Sequence, residues 1–128
     1  MEEYDDLTKG PDEDGHLNLS YSDFQTIPYD ICNEYSQKLI SLNLSYNNLT
    51  VISEQSRHLT LLKELNLSHN KLTAIDKALG HCIRLRKLDL SHNQISSIPD
   101  EIFQRCRLLV SQMKALELFL LYTSGSSI

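Results

Sequence analysis

The chain has 128 residues, 41% of them apolar, and a net charge of −5. That length makes one domain; the apolar fraction can build a core but is too broken by charge for a membrane-spanning protein. The charge is lopsided: residues 1–14 hold seven acids against Lys9, so the other 114 residues sum to about +1 and no uniformly basic nucleic-acid surface is indicated.

The acidic start, residues 1–13, reads as a solubilising tail or, more sharply, as a docking tail for a basic partner. It has neither a basic stretch nor an apolar stretch of the kind a secretory leader needs, so no leader is expected. Cys32, Cys82 and Cys106 share no short spacing, which argues against a disulfide framework or a zinc site. A cytoplasmic location follows as the expectation, and a nuclear one is compatible with it. The sequons at Asn18, Asn43, Asn48 and Asn66 then read as by-products of repeated text.

From residue 14 to 107 the sequence repeats. "LNLSYNNL" at 42–49 returns as "LNLSHNKL" at 65–72 and "LDLSHNQI" at 88–95, two steps of 23. The equivalent leucines are Leu19, Leu44, Leu67 and Leu90; the first unit is degenerate, with Ser22 where Asn is expected and Asp14 where a leading Leu is expected. Apolar alternation in "LNL" predicts a short strand with one buried face. No unit can bury its leucines alone, and stacking makes one core. The Asn that follows each strand carries both donors and an acceptor. Asn47, Asn70 and Asn93 are therefore expected to form an internal ladder that satisfies buried backbone groups.

Between the strands, "SEQSRHLTLL" turns Leu59 and Leu62 inward, and "DKALGHCIRL" gives a helical stripe of Ala78, Leu79, Cys82 and Leu85. Over about 100–112 a helix is predicted, with Ile102, Phe103, Cys106, Leu109, Val110 and Met113 sharing a face, Pro99 at its first position and Ser97 as cap. Residues 108–122 form a divergent capping segment and 123–128 a tail. "LELFLLY" reads as a fifth strand at about 115–120 or as the end of a longer helix, and Phe119, Leu120 and Leu121 offer a dimer or partner contact.

The repeated text resembles the leucine-rich repeat family over about residues 14–107. The resemblance implies an α/β fold: a curved solenoid with a short parallel sheet on the concave side and helices or 3₁₀ turns on the convex side. In that family the concave face usually binds another protein. The "TIP" at 26–28 and "SIP" at 97–99 are similar to its cytoplasmic, 23-residue type.

Positions flanking the inward leucines should face the concave side: His16, Asn18 and Ser20, then Ser41, Asn43 and Ser45, then Glu64, Asn66 and Ser68, then Lys87, Asp89 and Ser91. Among these, Asn43, Asn66, Glu64, Lys87 and Asp89 are the candidate contacts. Tyr21, Tyr46, His69 and His92 occupy one column in successive units, either an aromatic rim for a partner or ordinary choices before the Asn. Arg84, Arg86, Lys87, Arg105 and Arg107 read as a solvated basic face or as a phosphate or acidic-partner patch. No phosphate loop, metalloprotease or nucleophile motif is present, so no enzyme and no cofactor is expected. The expectation is a protein-binding scaffold or adaptor, with a regulatory subunit of a phosphatase or small-GTPase pathway, or a truncated form of a longer repeat protein, as alternatives.

Overall fold

A computed structural model describes residues 10–111. Strands β1 (His16–Asn18), β2 (Ser41–Asn43), β4 (Glu64–Asn66) and β6 (Lys87–Asp89) form one parallel sheet in the order β1-β2-β4-β6. Between them, β3 (Val51–Ile52) and β5 (Ala74–Ile75) pair as a second, two-stranded sheet. The register places Leu17, Leu42, Leu65 and Leu88 in one row across the large sheet. Each of these leucines is buried and is flanked by more exposed residues, as the alternation predicts.

The strands stop at three residues because the chain then turns inward onto the asparagines. Asn70 donates through Nδ2 to the carbonyls of Leu44, Leu67 and Ser68 at 2.9, 3.0 and 3.2 Å, and its Oδ1 accepts from Leu49 N–H at 3.0 Å. Asn47 and Asn93 repeat the pattern one unit away on either side. Successive asparagines share a carbonyl: Leu44 O takes Asn47 and Asn70, and Leu67 O takes Asn70 and Asn93. The first unit lacks its own Asn, and Asn47 Oδ1 serves it by accepting from Ser22 N–H and Phe24 N–H, both at 3.0 Å.

The convex side is built from helix α1 (Tyr29–Glu34), two 3₁₀ segments (Glu54–His58 and Lys77–His81), and helices α2 (Asp100–Arg105) and α3 (Arg107–Ser111). The stripe predicted at 78–85 is buried as expected, but the segment is 3₁₀ and Asp76 caps it by accepting from Ala78 N–H at 2.8 Å. The single helix expected at about 100–112 is two helices. The break falls at Cys106 (φ −90, ψ 67), and the same bend occurs at Cys82 (φ −81, ψ 68) and Leu59 (φ −85, ψ 55). Each bend sends an inward side chain to the core, at Leu59 and Cys82 just ahead of β4 and β6, and this return overrides local helix periodicity. Ile102, Cys106 and Leu109 take the core side, and Phe103 is left 37% exposed rather than buried. Pro99 is the N-cap itself, outside the helix, with no side-chain cap, so Ser97 does not play that part. Pro28 does the same for α1, with almost identical backbone angles.

Gly15 shows why one unit starts with glycine. It has φ +80, and a Cβ there would lie 2.5 Å from Ile40 Cγ1 and 2.6 Å from the Lys38 carbonyl. Its own carbonyl accepts from Ile40 and Ser41 N–H, as the Ile40 carbonyl does for Lys63 and Glu64. Before it, Asp12 accepts from His16 N–H and Asp14 N–H, which ties residues 12–15 into a turn beside β1. The acidic residues before Gly10 and the 115–121 segment, with its Phe119–Leu121 contact, lie outside the described residues.

All three cysteines are free and buried. Cys106 Sγ lies 3.4 Å from the Cys82 carbonyl, and Cys82 Sγ 3.5 Å from that of Ser56. Burial pushes the Cys32 thiol up to about 11 and the Cys82 thiol up to about 12, and Cys106 is raised by the same cause. The unfolded chain ionises these thiols first, near 9.0. Their contribution to stability is therefore complete below about pH 9 and is lost as pH rises through 11–12. Two results are expected: native protein at pH 8 is silent to a thiol reagent until denaturant is added, and its denaturation midpoint falls between pH 9 and pH 11.

Candidate functional site

The concave face is a grid of four columns, because parallel strands in register place equivalent residues side by side. The first column holds His16, Ser41, Glu64 and Lys87; the second holds Asn18, Asn43, Asn66 and Asp89. Leu42 and Leu65 floor a shallow cleft of about 250 Å³ whose walls include Ser41, Asn43, Glu64, Asn66, Lys87 and Asp89. All five concave candidates chosen from sequence therefore meet in one place. Arg86, which the sequence reading did not place here, joins them: its guanidinium lies 3.8 Å from the Glu64 carboxylate. Both side chains are nearly half exposed, so the pair orients charge more than it adds stability.

The second column is partly committed to its own backbone. Asn43 Oδ1 accepts from both the N–H and the hydroxyl of Ser45, at 2.9 and 2.7 Å. Asn18 with Ser20, Asn66 with Ser68, and Asp89 with Ser91 do likewise. This bridge corrects the expectation that the third column, Ser20, Ser45, Ser68 and Ser91, faces outward. Ser45 and Ser68 fold back on the bridging oxygen and are buried, at 5% and 6% exposure. It also explains the repeated Asn-Leu-Ser text as a turn requirement. Asp89 performs the same task, so the position needs an oxygen acceptor and not an amide.

The fourth column is the densest feature of the surface. The rings of Tyr21, Tyr46, His69 and His92 stack face to face, with centroids 4.5, 4.2 and 4.0 Å apart and planes within 13°. The backbone sets this up. Tyr21, Tyr46 and His69 each donate N–H to the serine carbonyl of the next unit. All four residues are left-handed, with φ between 56 and 58. That conformation costs a non-glycine residue roughly 1–2 kcal/mol, and a stacked pair returns about 0.5–1.5 kcal/mol. The two histidines suit this backbone better than the tyrosines, since His is enriched among the non-glycine residues that turn left-handed and Tyr is not.

The basic residues do not form one patch. Arg86 and Lys87 belong to the concave side, whereas Arg105 lies on the convex side, its Cδ 3.3 Å from where a Cβ on Gly80 would sit. There it lines a separate cleft of about 410 Å³ with Arg57, Lys77 and His81, and with the acids Glu54, Asp76 and Glu101.

Repeated short parallel strands, an internal asparagine ladder and a convex return segment define a leucine-rich repeat solenoid. The leucine rich repeat family model matches residues 16–72 and 41–95, and the chain belongs to that family. It is similar in structure to a leucine-rich repeat protein of Leptospira interrogans, with a TM-score of 0.62 and 28% identity over 81% of this chain. The match spans 28% of that longer protein. No curated protein matches the sequence. Leucine-rich repeat domains generally mediate protein–protein interaction and are typically non-enzymatic scaffolds. Among the described residues no helix is long and apolar enough to cross a membrane.

Proposed function

We propose that this chain is a non-enzymatic interaction module that holds a protein partner against the concave sheet and the adjoining Tyr/His rim. The observation that carries this reading is the ring column. Tyr21 and Tyr46 are 73% and 43% exposed, yet each ring is backed by a neighbour. A rigid, exposed aromatic offers contact area without losing rotamer freedom on binding. The mixed charges of Glu64, Arg86, Lys87 and Asp89 beside it supply orientation. The three free, buried thiols favour work in a reducing compartment such as the cytoplasm.

The test is proximity labelling in cells with the native chain and with a Tyr46→Ala/His69→Ala variant. The variant removes the two middle rings of the column. Loss of most labelled partners is expected, with a cooperative denaturation curve retained. An unchanged partner set would remove the rim from the binding surface.

A further inference from the structure

The ring column has an open end. Tyr46 backs one face of Tyr21 at 4.5 Å, yet Tyr21 remains 73% exposed. Among the described residues no other ring stacks on its outer face. Rings stacked face to face spend their inner faces on one another, so among the described residues the outer face of Tyr21 is left as an aromatic platform. A ring face carries the negative lobe of the aromatic quadrupole, and it attracts a cation placed over it. The seat is fixed in advance by the left-handed backbone (φ 57), by the Tyr21 N–H bond to the Ser45 carbonyl at 3.3 Å, and by Tyr46 behind it.

The surroundings choose the charge of the visitor. From Gly10 to Gln37 the chain carries Asp12, Glu13, Asp14, Asp23, Asp30 and Glu34, and no Lys or Arg. All six acids are exposed. They belong to the first unit: Asp12, Glu13 and Asp14 precede β1 and Asp23 lies two residues from Tyr21, whereas Asp30 and Glu34 sit on the convex helix α1. Later units mix the two signs, as Glu64, Arg86, Lys87 and Asp89 show.

We propose that this N-terminal end of the solenoid binds an arginine-bearing basic segment of a protein partner, one guanidinium stacking on the outer face of Tyr21 while the acids of the first unit meet the remaining positive charge. Arginine is preferred to lysine because its guanidinium is planar, weakly hydrated and stacks on aromatic faces, whereas an ammonium is a compact, strongly hydrated charge. The inference rests on the rim reading in taking the column as a contact surface, but it uses a different face, at the end of the stack.

The experiment titrates labelled short peptides into the full chain: an Arg–Gly peptide, a Lys–Gly peptide of equal charge and an acidic control. The Arg peptide is expected to bind up to about 5-fold tighter than the Lys peptide, the upper limit being the whole worth of an exposed cation–π contact, and the acidic peptide not to bind. Tyr21→Ala should bring the Arg-to-Lys ratio to about one, and Tyr21→Phe, which keeps the ring, should preserve it. Equal binding of the Arg and Lys peptides by the native chain would overturn the proposal, as would a ratio unmoved by Tyr21→Ala. A Glu64→Lys/Lys87→Glu variant separates this from the concave-face reading. It should keep the Arg preference even where it loses a concave partner, and loss of the preference in that variant would place the seat on the concave face instead.

Discussion

Replacing Asn70 with alanine is expected to lower the stability of the fold by about 3–4 kcal/mol, measured by denaturant titration. The substitution orphans the buried Leu49 N–H, which has Asn70 Oδ1 as its acceptor at 3.0 Å. It also removes three donations to carbonyls, two of which are shared with Asn47 or Asn93. An unsatisfied buried group costs about 1–3 kcal/mol, and the deleted side chain leaves a void in addition. Asn70→Asp should cost no less, because it sets a carboxylate against the carbonyls of Leu44, Leu67 and Ser68. Asn43→Asp, in the other asparagine column, should be close to neutral, since Asp89 makes the same bridge and the register neighbours of Asn43 are the uncharged Asn18 and Asn66. Equal losses at Asn43 and Asn70 would mean that the two asparagine columns are not different in kind.

Leu67→Ala should cost a similar amount, about 3–4 kcal/mol, within the 2–5 kcal/mol span of buried leucine truncations. Leu67 is fully buried in an inner unit, with repeats on both sides. A solenoid core is one repeat deep in places, and each unit contacts only its neighbours, so little material can collapse into the cavity. Leu17, in the first unit and 8% exposed, is covered from one side by a turn and not by a further strand. Leu17→Ala is therefore expected to cost about half as much, since the loss scales with the void left behind. Equal costs at the two positions would show that the turn at residues 12–15 packs the end as tightly as a repeat does.

The parts of this fold that could be read from sequence are those in which one position does one job in every unit. Leu65 and its equivalents, and Asn70 and its equivalents, are set by burial and backbone satisfaction, and periodicity displays both. Ser45 and Ser68 were misplaced because alternation predicts only which way a strand residue points, whereas the Asn43 and Asn66 bridges fold those serines back. The break at Cys106 has no breaker residue to announce it. The need to re-enter the core imposes it, as it does at Leu59 and Cys82. Tyr21, Tyr46, His69 and His92 align as a column in the text, but the stacking of their rings depends on left-handed backbone that Tyr21 and Tyr46 do not signal. Arg86 reads as part of a basic cluster and instead pairs with Glu64, because the register sets Lys87, the residue after it, beside Glu64, and composition does not display register.

Leucines and ladder asparagines hold the fold, and under the proposed function Glu64, Lys87 and the ring column are the residues that would meet the partner. The most direct measurement compares proximity-labelled partners of the native chain, the concave Glu64→Lys/Lys87→Glu variant and a convex Arg57→Glu/Arg105→Glu variant, each with its folding checked by denaturation. The concave pair lines the cleft on the large sheet, and the convex pair lines the cleft on the opposite side. Loss of partners from the concave variant, with the native set kept by the convex one, is the predicted result. A native set kept by the concave variant and lost from the convex one would contradict the account and move the binding surface to the other side of the solenoid.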